Sequence, residues 1–280
     1  MSQDDWDMWV DVWQSHSRLE SVRKKIDRTL AVCRFEIDGI GGYDSTRCQT
    51  IIKERKFIAS LSGGKDSVAM VALMVESGGL GRFQCAHATS GLSLPESEQV
   101  CMDLCDKYDL PLDIEEPATD VWNDLASIPS TESVYDSQHY QKLLRDYSSG
   151  NVMVQYQYKN DVQMYFLGIR AEESKGRKTT ARVHGPLHRS AIDQIYRVCP
   201  ILWLSARDIW SIIVSRNLPI HPFYRRCCVE LDIDPETNRM DSILPQDGIA
   251  SLGQMAAIKT LYPDLWARLL LTRPELAQFE

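Results

Sequence analysis

The sequence has no uninterrupted apolar run of the roughly 18 residues that would predict a membrane-spanning helix. Its N-terminal segment, MSQDDWDMWVDVW, is acidic and has neither the basic start nor the apolar centre of a signal peptide. Internal repeats and low-complexity segments are also missing. These absences argue against a membrane protein, an exported protein and a repeat architecture, and we expect a cytoplasmic protein.

The cysteine pattern argues against a disulfide-stabilised protein. None of the eight cysteines forms a C-x-x-C pair, and a disulfide framework is not expected in a cytoplasmic chain. Most thiols are therefore predicted to be buried and unreactive. A metal or iron–sulfur role for some of Cys199, Cys227 and Cys228 is the alternative that the sequence leaves open.

The charge balance is acidic, with a formal net charge of −8, which argues against general coating of nucleic acid. It does not argue against a local basic site. Residues 170–189 contain six Lys or Arg against two Glu, a local charge of +4. We interpret this stretch either as a mobile solvated loop or as a lid or anion-binding loop.

The chain of 280 residues is long enough for one large α/β domain with appendages. Alternating strands and helices predict a parallel sheet with helices on both faces, whose ligands bind at the carboxyl ends of the strands. We expect a helical N-terminal extension (1–50, with a turn-rich loop at 36–50), a central domain (51–225) and a helical tail (226–280). The predicted strands are 57–61, 83–88, 111–115, one that ends in 163–170, and a short run at 195–201; the predicted helices of this domain include 96–108 and 205–217.

An aromatic stripe lies near the N-terminus. Trp6, Trp9 and Trp13 fall on one face of a predicted helix. The stripe either packs on the body of the same chain or forms a docking surface for a second copy or another partner. The second interpretation makes a homodimer plausible.

The most informative segment is Ser62–Gly63–Gly64–Lys65–Asp66–Ser67, between a short apolar strand and an apolar helix. The glycines let the backbone approach a phosphate, and the first N–H groups of the helix point at it. The two serines add hydroxyl groups and Lys65 adds a positive charge. Asp66 would cap the helix or help to hold Mg²⁺.

This SGGKDS segment differs from the Walker loop, GxxxxGK[ST]. It resembles the PP-loop of the ATP pyrophosphatase superfamily, whose members cleave ATP between the α and β phosphates. The resemblance implies a Rossmann-like fold of the adenine nucleotide alpha hydrolase type, with ATP and Mg²⁺ as cofactors.

A second segment, His87 to Ser97, follows the second predicted strand. It is similar to the D-T-G-x-x-x-P-E-[TS] pattern of the phosphoadenylylsulfate (PAPS) reductase-like branch of this superfamily. Gly91, Pro95 and Glu96 match, Ser90 takes the Thr position, and Thr89 stands where the branch has Asp. The resemblance implies that the backbone at this strand end reads the adenine edge.

A third segment, Leu167 to Arg177, resembles the G-x-R-x-x-E-S-x-x-R element of the same branch. An arginine that leaves a strand can grip phosphate oxygens through two hydrogen bonds. We therefore expect Arg170 on the pyrophosphate side of the nucleotide, supported by Arg177, with Glu173 orienting one of these guanidinium groups.

A fourth segment resembles the P-[IL]-x-x-W-x-x-x-D-[VI]-W element, followed by P-x-H-P-x-Y at 219–224. Its Trp203, Asp208 and Trp210 are expected to brace a helix beneath the site. The resemblance, carried by these four segments in the expected order, spans roughly residues 55–225. The residues expected to act in catalysis are Lys65, Asp66 and Arg170, and those expected to bind the nucleotide are Ser62, Gly63, Gly64, Ser67, His87, Thr89, Gly91, Gly168 and Arg177.

The resemblance implies an ATP pyrophosphatase that adenylates a substrate in sulfur transfer or in DNA phosphorothioation-like or tRNA modification, with a nucleic acid or a sulfur-donor protein as partner. One alternative is a thiol-dependent reductase of adenylylsulfate nucleotides. Such reductases use a cysteine near the C-terminus, and this chain has none after Cys228. The other alternative is a nucleotide-binding subunit without turnover.

Overall fold

The structure is a computed structural model, and it describes residues 2–36, 45–89, 91, 93–129, 138–190, 194–240, 243 and 248–279. Ser90 and residues 37–44 of the predicted loop lie outside the described residues. Residues 45–50 belong to a helix, so the loop prediction is wrong there. None of the helices in the described ranges has the length and apolarity that crossing a membrane requires.

The described elements follow one another in an order that is typical of an α/β protein. The strands are β1 (Phe57–Ser60), β2 (Gln84–Ala88), β3 (Leu112–Glu115), β4 (Met164–Phe166), β5 (Leu187–Arg189) and β6 (Tyr196–Val198). The helices are α1 (Gln3–His16), α2 (Glu20–Cys33), α3 (Ser45–Lys53), α4 (Lys65–Ser77), α5 (Ser97–Tyr108), α6 (Val121–Ser127), α7 (Gln138–Asp146), α8 (Ser149–Lys159), α9 (Lys175–His184), α10 (Ala206–Ser215), α11 (Pro222–Leu231), α12 (Gly248–Leu261) and α13 (Pro263–Thr272), with 3₁₀ turns at Ala171–Glu173 and Pro274–Phe279.

The described strands form one six-stranded sheet in the order β3-β2-β1-β4-β6-β5. All neighbouring pairs are parallel except β5 with β6. The predicted parallel sheet is confirmed, apart from the antiparallel edge strand β5. Because β1 lies between β2 and β4, where the direction of chain progression reverses, the loop after β1 opens into a crevice at the carboxyl edge of the sheet.

The basic stretch 170–189 is not a loop, contrary to the prediction. It contains a 3₁₀ turn, α9 and the edge strand β5. Ser174 caps α9 by accepting a hydrogen bond from the Arg177 backbone N–H at 3.1 Å. Sequence periodicity missed this helix because only Ala181 of its ten residues is buried, so it shows no apolar stripe.

The N-terminal stripe packs against its own chain. Trp13 is fully buried and stacks on Trp210 of α10, with ring centroids 4.6 Å apart, and Trp6 meets the same Trp210 ring edge-on at 5.9 Å. Trp9 is half-buried against Trp13. The packing interpretation is therefore confirmed, and the docking interpretation is wrong for Trp6 and Trp13 because neither ring is accessible.

Candidate functional site

The loop after β1 is stabilised by hydrogen bonds of its own serines. The Ser67 hydroxyl accepts a hydrogen bond from the Ser62 backbone N–H (3.1 Å) and donates to the Gly64 carbonyl (3.0 Å). Gly63 has a φ of +77°, and a Cβ there would lie 2.5 Å from the Ser97 carbonyl oxygen at the start of α5. Glycine is therefore required at position 63. Helix α4 begins two residues later, at Lys65, so the positive end of its dipole lies at the crevice.

Lys65 begins α4 and is only 3% exposed. Its Nζ donates to the Asn238 carbonyl (2.8 Å), lies 5.0 Å above the Tyr224 ring and is 3.6 Å from Asp66 Oδ2. Burial lowers the pKa of Lys65, and the Asp66 carboxylate opposes that shift. A phosphate at this position would add negative charge beside this buried ammonium, which already lies near the Asp66 carboxylate.

Arg170 lies behind the loop rather than on the wall of the crevice. It is 2% exposed, and its guanidinium pairs with Asp66 and Glu172. Glu172 also accepts a hydrogen bond from the Ala206 backbone N–H at the start of α10 (2.6 Å). Arg170 thus holds the Asp66 carboxylate in place, and its expected contact with phosphate stays a prediction.

Glu173 does orient guanidinium groups, as expected. Its nearly buried carboxylate pairs with Arg177 and with Arg239, and accepts a hydrogen bond from the Arg170 backbone N–H (2.9 Å). Burial raises the pKa of Glu173, but these donors outweigh burial, and the net pKa is below its usual range. Glu173 is therefore ionised at neutral pH and fixes two cations at the mouth of the crevice.

These residues surround a cavity of about 490 Å³. Of the predicted site residues, Ser62, Gly64, Lys65, Asp66, Ser67, His87, Gly168 and Arg177 line it, whereas Gly63, Thr89, Gly91 and Arg170 do not. The SGGKDS loop contributes polar groups to its wall. Apolar and aromatic side chains of the wall come from the strand ends, from α7 and α8 and from the turn between these helices: Ala88, Leu144, Tyr147, Met153, Tyr165, Leu167 and Ile169.

The second predicted segment divides its residues between two roles. His87 is buried at the cavity, and its Nδ1 lies 2.8 Å from the Leu61 carbonyl. Since that carbonyl can only accept, Nδ1 carries the proton and Nε2 is an acceptor; burial lowers the pKa of His87 and favours this neutral form. Gly91 (φ +67°) instead packs against α6, because a Cβ would lie 2.7 Å from Val121 Cγ1. The Thr89 backbone N–H donates to the Glu115 carbonyl at the end of β3.

Gly168 allows the chain after β4 to pack closely against the SGGKDS loop. A Cβ at this position would lie 2.8 Å from the Ser67 backbone nitrogen and 3.0 Å from the Asp66 carbonyl carbon. Backbone atoms of a helix start cannot move away as a side-chain tip can, so any larger residue displaces the first turn of α4.

We therefore expect Gly168→Ala to weaken nucleotide binding by about tenfold or more, because a displacement of about 1 Å at a binding loop is costly. Gly176→Ala is the matched control, since the nearest atom to its added Cβ is 3.9 Å away in exposed α9. Isothermal titration of both variants with a non-hydrolysable ATP analogue measures the effect. Equal affinity in the two variants would contradict the role given to Gly168.

The fourth segment contains a brace, as predicted, but Trp203 is not part of it. Asp208 is fully buried and pairs with His16 Nε2 (3.0 Å) and Lys25 Nζ (2.6 Å), which ties α1 and α2 to α10. Trp210 is also fully buried, and its Nε1 donates to the Pro235 carbonyl. Trp203, in contrast, is 43% exposed.

His221 caps α11 beneath the cavity. Its Nδ1 accepts a hydrogen bond from the Phe223 backbone N–H (3.2 Å), so Nε2 carries the proton, 3.4 Å from the Ser97 hydroxyl. Burial lowers the pKa of His221 to about 4, opposed by Glu96. Between pH 6.5 and 4 the native chain consequently binds fewer protons than the unfolded chain, and its stability falls as the pH falls.

We expect His221→Asn to keep the helix cap and to remove this titration. The loss of unfolding free energy between pH 7 and pH 4 should then shrink by about 3 kcal/mol. Urea unfolding of both proteins across this pH range is the measurement. An unchanged pH dependence in the variant would show that His221 does not titrate in this way.

The cysteines are buried, as predicted. Cys199, Cys227 and Cys228 lie in three separate apolar clusters, and no group of three metal-ligating side chains occurs in the described part of the chain. Burial raises the pKa of Cys199 to about 12 and that of Cys227 to about 11. These residues do not fit an iron–sulfur cluster, which needs several thiolates around one centre, and they make poor thiolate nucleophiles.

Three residues of the site were missed by sequence reasoning: Tyr224, Asn238 and Arg239. The Tyr224 hydroxyl accepts a hydrogen bond from the Lys65 backbone N–H (3.3 Å), and burial raises the pKa of this phenol, which stays neutral. Tyr224 ends the P-x-H-P-x-Y segment, but that pattern alone predicts no contact between Tyr224 and the SGGKDS loop. Asn238 and Arg239 belong to no motif, so no linear signal could have found them.

Comparisons with known proteins show the family and the fold of this chain. A family model described as the phosphoadenosine phosphosulfate reductase domain matches residues 56–254. No curated protein matches the sequence. Solved structures with a similar fold include Candida glabrata FMN adenylyltransferase in complex with ATP, with 14% identity, a TM-score of 0.50, and coverage of 79% of this chain and 67% of that chain.

Two other solved structures show weaker likeness. Phosphoadenylyl-sulfate reductase from Candida auris has 10% identity and a TM-score of 0.47, over 69% of this chain and 87% of that chain. The U34-tRNA thiolase from Methanococcus maripaludis, solved with its [4Fe-4S] cluster, has 11% identity and a TM-score of 0.45, over 84% of this chain and 79% of that chain. At these identities the likeness concerns the fold alone.

Proposed function

The chain belongs to the phosphoadenosine phosphosulfate reductase domain family, and on that premise we propose that it binds ATP and adenylates a substrate with release of pyrophosphate. The observation that carries the proposal is the buried Lys65 ammonium at the start of α4, on the wall of a cavity of about 490 Å³. This arrangement suits a polyphosphate, because it combines a fixed cation with the positive end of a helix dipole.

The cavity wall offers groups that suit each part of the nucleotide. The triphosphate would lie against Ser62, Gly64 and Lys65, with Arg177 and Arg239 on the same wall. The base would lie against the apolar side chains, beside the strand ends at His87 and Leu167. A neutral His87 whose Nε2 is an acceptor suits an amino group of the base or a ribose hydroxyl.

In the proposed reaction an oxygen of the acceptor attacks the α-phosphorus of ATP. The new bond joins that oxygen to the α-phosphorus, and the bond from the α-phosphorus to the bridging β-oxygen breaks. Pyrophosphate leaves with the electron pair. The chain's own residues position the phosphates and stabilise the charge that develops on the leaving group, and none of them forms a covalent intermediate.

Mg²⁺ fits this site only together with the triphosphate. Asp66 and Glu173 are the carboxylates among the described residues of the cavity wall, and each is already paired with a guanidinium group. Phosphate oxygens and water would therefore supply most ligands, with Asp66 as the protein ligand. Bound in this way, Mg²⁺ would neutralise charge on the pyrophosphate.

The proposed acceptor is a nucleic acid, in DNA phosphorothioation-like or tRNA modification, or a partner in sulfur transfer. The thiols of Cys199, Cys227 and Cys228 are buried, and burial raises the pKa of each. A thiol in this state is a poor nucleophile, which does not favour the reductase alternative. A subunit that binds ATP without turnover has the same cavity, so only the reaction products separate the two.

The experiment that tests the proposal uses purified protein, Mg²⁺ and ATP labelled at the α or the γ phosphate, with and without tRNA or DNA. AMP or an adenylated product, together with pyrophosphate, is the expected result. ATP that binds but stays intact in every condition would overturn the adenylation proposal. Sulfite released from an adenylylsulfate nucleotide would establish the reductase instead.

A further inference from the structure

Helix α9 carries an unusual distribution of charge. Its ten residues include Lys175, Arg177, Lys178 and Arg182 and no Asp or Glu, within a chain of net charge −8. Lys175, Lys178 and Arg182 are spaced i, i+3 and i+7, which places them along one side of the helix. All three are exposed, and none forms an ion pair with a described residue.

The carboxylates nearest in sequence do not neutralise these three side chains. Glu172 pairs with Arg170 and accepts from the Ala206 N–H, and Glu173 pairs with Arg177 and Arg239. The positive charge of the helix therefore faces solvent. An unpaired row of cations on an acidic protein indicates attraction to a polyanion, because the rest of the surface repels one.

An exposed aromatic ring lies next in sequence to a residue that packs against α9. Trp203 is 43% exposed, although tryptophan is usually largely buried. The preceding residue, Leu202, packs in one apolar cluster with Ala171 and with Ala181 of the buried side of α9. Cations beside an exposed aromatic ring form the usual surface for single-stranded nucleic acid, since phosphates take the charges and bases stack on rings.

This surface leads to the ATP site. Arg177, on the same helix, is half-buried, pairs with Glu173 and lines the cavity. We propose that Lys175, Lys178, Arg182 and Trp203 form a docking surface for a single-stranded nucleic acid, the α9 surface, which brings the acceptor to the mouth of the cavity. The inference rests on the proposed function for its acceptor, and goes beyond it by naming the residues that bind that acceptor.

Fluorescence anisotropy with labelled single-stranded RNA and DNA of about 15 nucleotides tests the proposal, without ATP and between about 50 and 200 mM salt. We expect the triple variant K175A/K178A/R182A to bind about tenfold or more weakly at low salt. Its slope of log affinity against log salt should fall in magnitude by about 2, since three cations no longer displace counterions. Trp203→Ala should weaken binding about tenfold at all salt concentrations through lost stacking.

The matched control is R18A/R23A/R28A, which removes three exposed arginines near the N-terminus and changes the net charge equally. It should bind like the unmodified protein. An equal loss in both triple variants would overturn the proposal, because net charge alone would then explain binding. So would the absence of binding by the unmodified protein.

An acidic protein is the competing occupant. Tight binding of poly-glutamate that displaces the oligonucleotide, together with no effect of Trp203→Ala, would favour that occupant and overturn this proposal. Thermal unfolding of each variant checks that the fold is kept. Because these measurements contain no ATP, their failure is distinguishable from failure of the adenylation proposal, which the labelled-ATP experiment decides alone.

Discussion

Replacement of Lys65 by alanine is expected to lower the rate of pyrophosphate release from ATP by about 10²- to 10³-fold. The Lys65 ammonium is 3% exposed, so its attraction to phosphate is not weakened by water as a surface charge would be. It is also held in place before the nucleotide binds, by the Asn238 carbonyl at 2.8 Å and the Tyr224 ring. A fixed charge stabilises the leaving pyrophosphate without rearrangement.

The measurement is steady-state release of labelled pyrophosphate from ATP by each purified variant. Lys24→Ala is the control, because Lys24 is a 74%-exposed lysine that pairs with Glu20 on its own helix. We expect kcat to fall more than KM rises, since the charge on the leaving group is greater in the transition state than in bound ATP. A Lys65→Ala enzyme with the full kcat would contradict the site assignment.

Replacement of Trp13 by alanine is expected to lower the free energy of unfolding by about 3–5 kcal/mol. Trp13 is fully buried, stacks on Trp210 at 4.6 Å and contacts Trp6 at 5.6 Å, so its loss leaves a large cavity between α1 and α10. Its Nε1 also donates to Glu236 (3.0 Å), a residue that Arg207 holds as well. Replacing Trp13 therefore also removes a contact that positions the segment around Asn238.

Urea unfolding monitored by circular dichroism measures this change. Trp203→Ala is the matched control, because the same substitution at a 43%-exposed ring should change the unfolding free energy by less than about 1 kcal/mol. Since Glu236 and Asn238 lie close in sequence, Trp13→Ala should also weaken nucleotide binding. A Trp13→Ala protein as stable as the Trp203→Ala protein would show that the N-terminal helix adds little to the fold.

Elements with strong local signals were predicted from the sequence. The strand, the glycine turn and the helix around Ser62–Ser67 follow from short-range chemistry, because apolar β-rich residues, paired glycines and an apolar helical run each determine their own backbone. The same holds for β2, β3, α5 and α10, whose predicted bounds agree with the structure within one or two residues.

Elements with weak local signals were not. Helix α9 buries one residue and strand β5 has only three, so neither shows a periodic pattern. The apolar stripe at Trp6 and Trp13 indicated a buried face but not its partner, and only the structure identifies Trp210 as that partner. Trp203 and Trp210 stand in one motif, yet one is exposed and the other fully buried.

The sequence by itself therefore determined the SGGKDS loop between β1 and α4, the mostly parallel sheet and the edge at which the cavity opens. Only the tertiary structure decided that Arg170 holds Asp66 from behind the loop, and that Asn238 holds Lys65 across 173 positions of chain. The reason is physical. Loops and helices follow from interactions between residues near in sequence, whereas these contacts join segments that no local propensity relates, and they exist only once the whole core has packed.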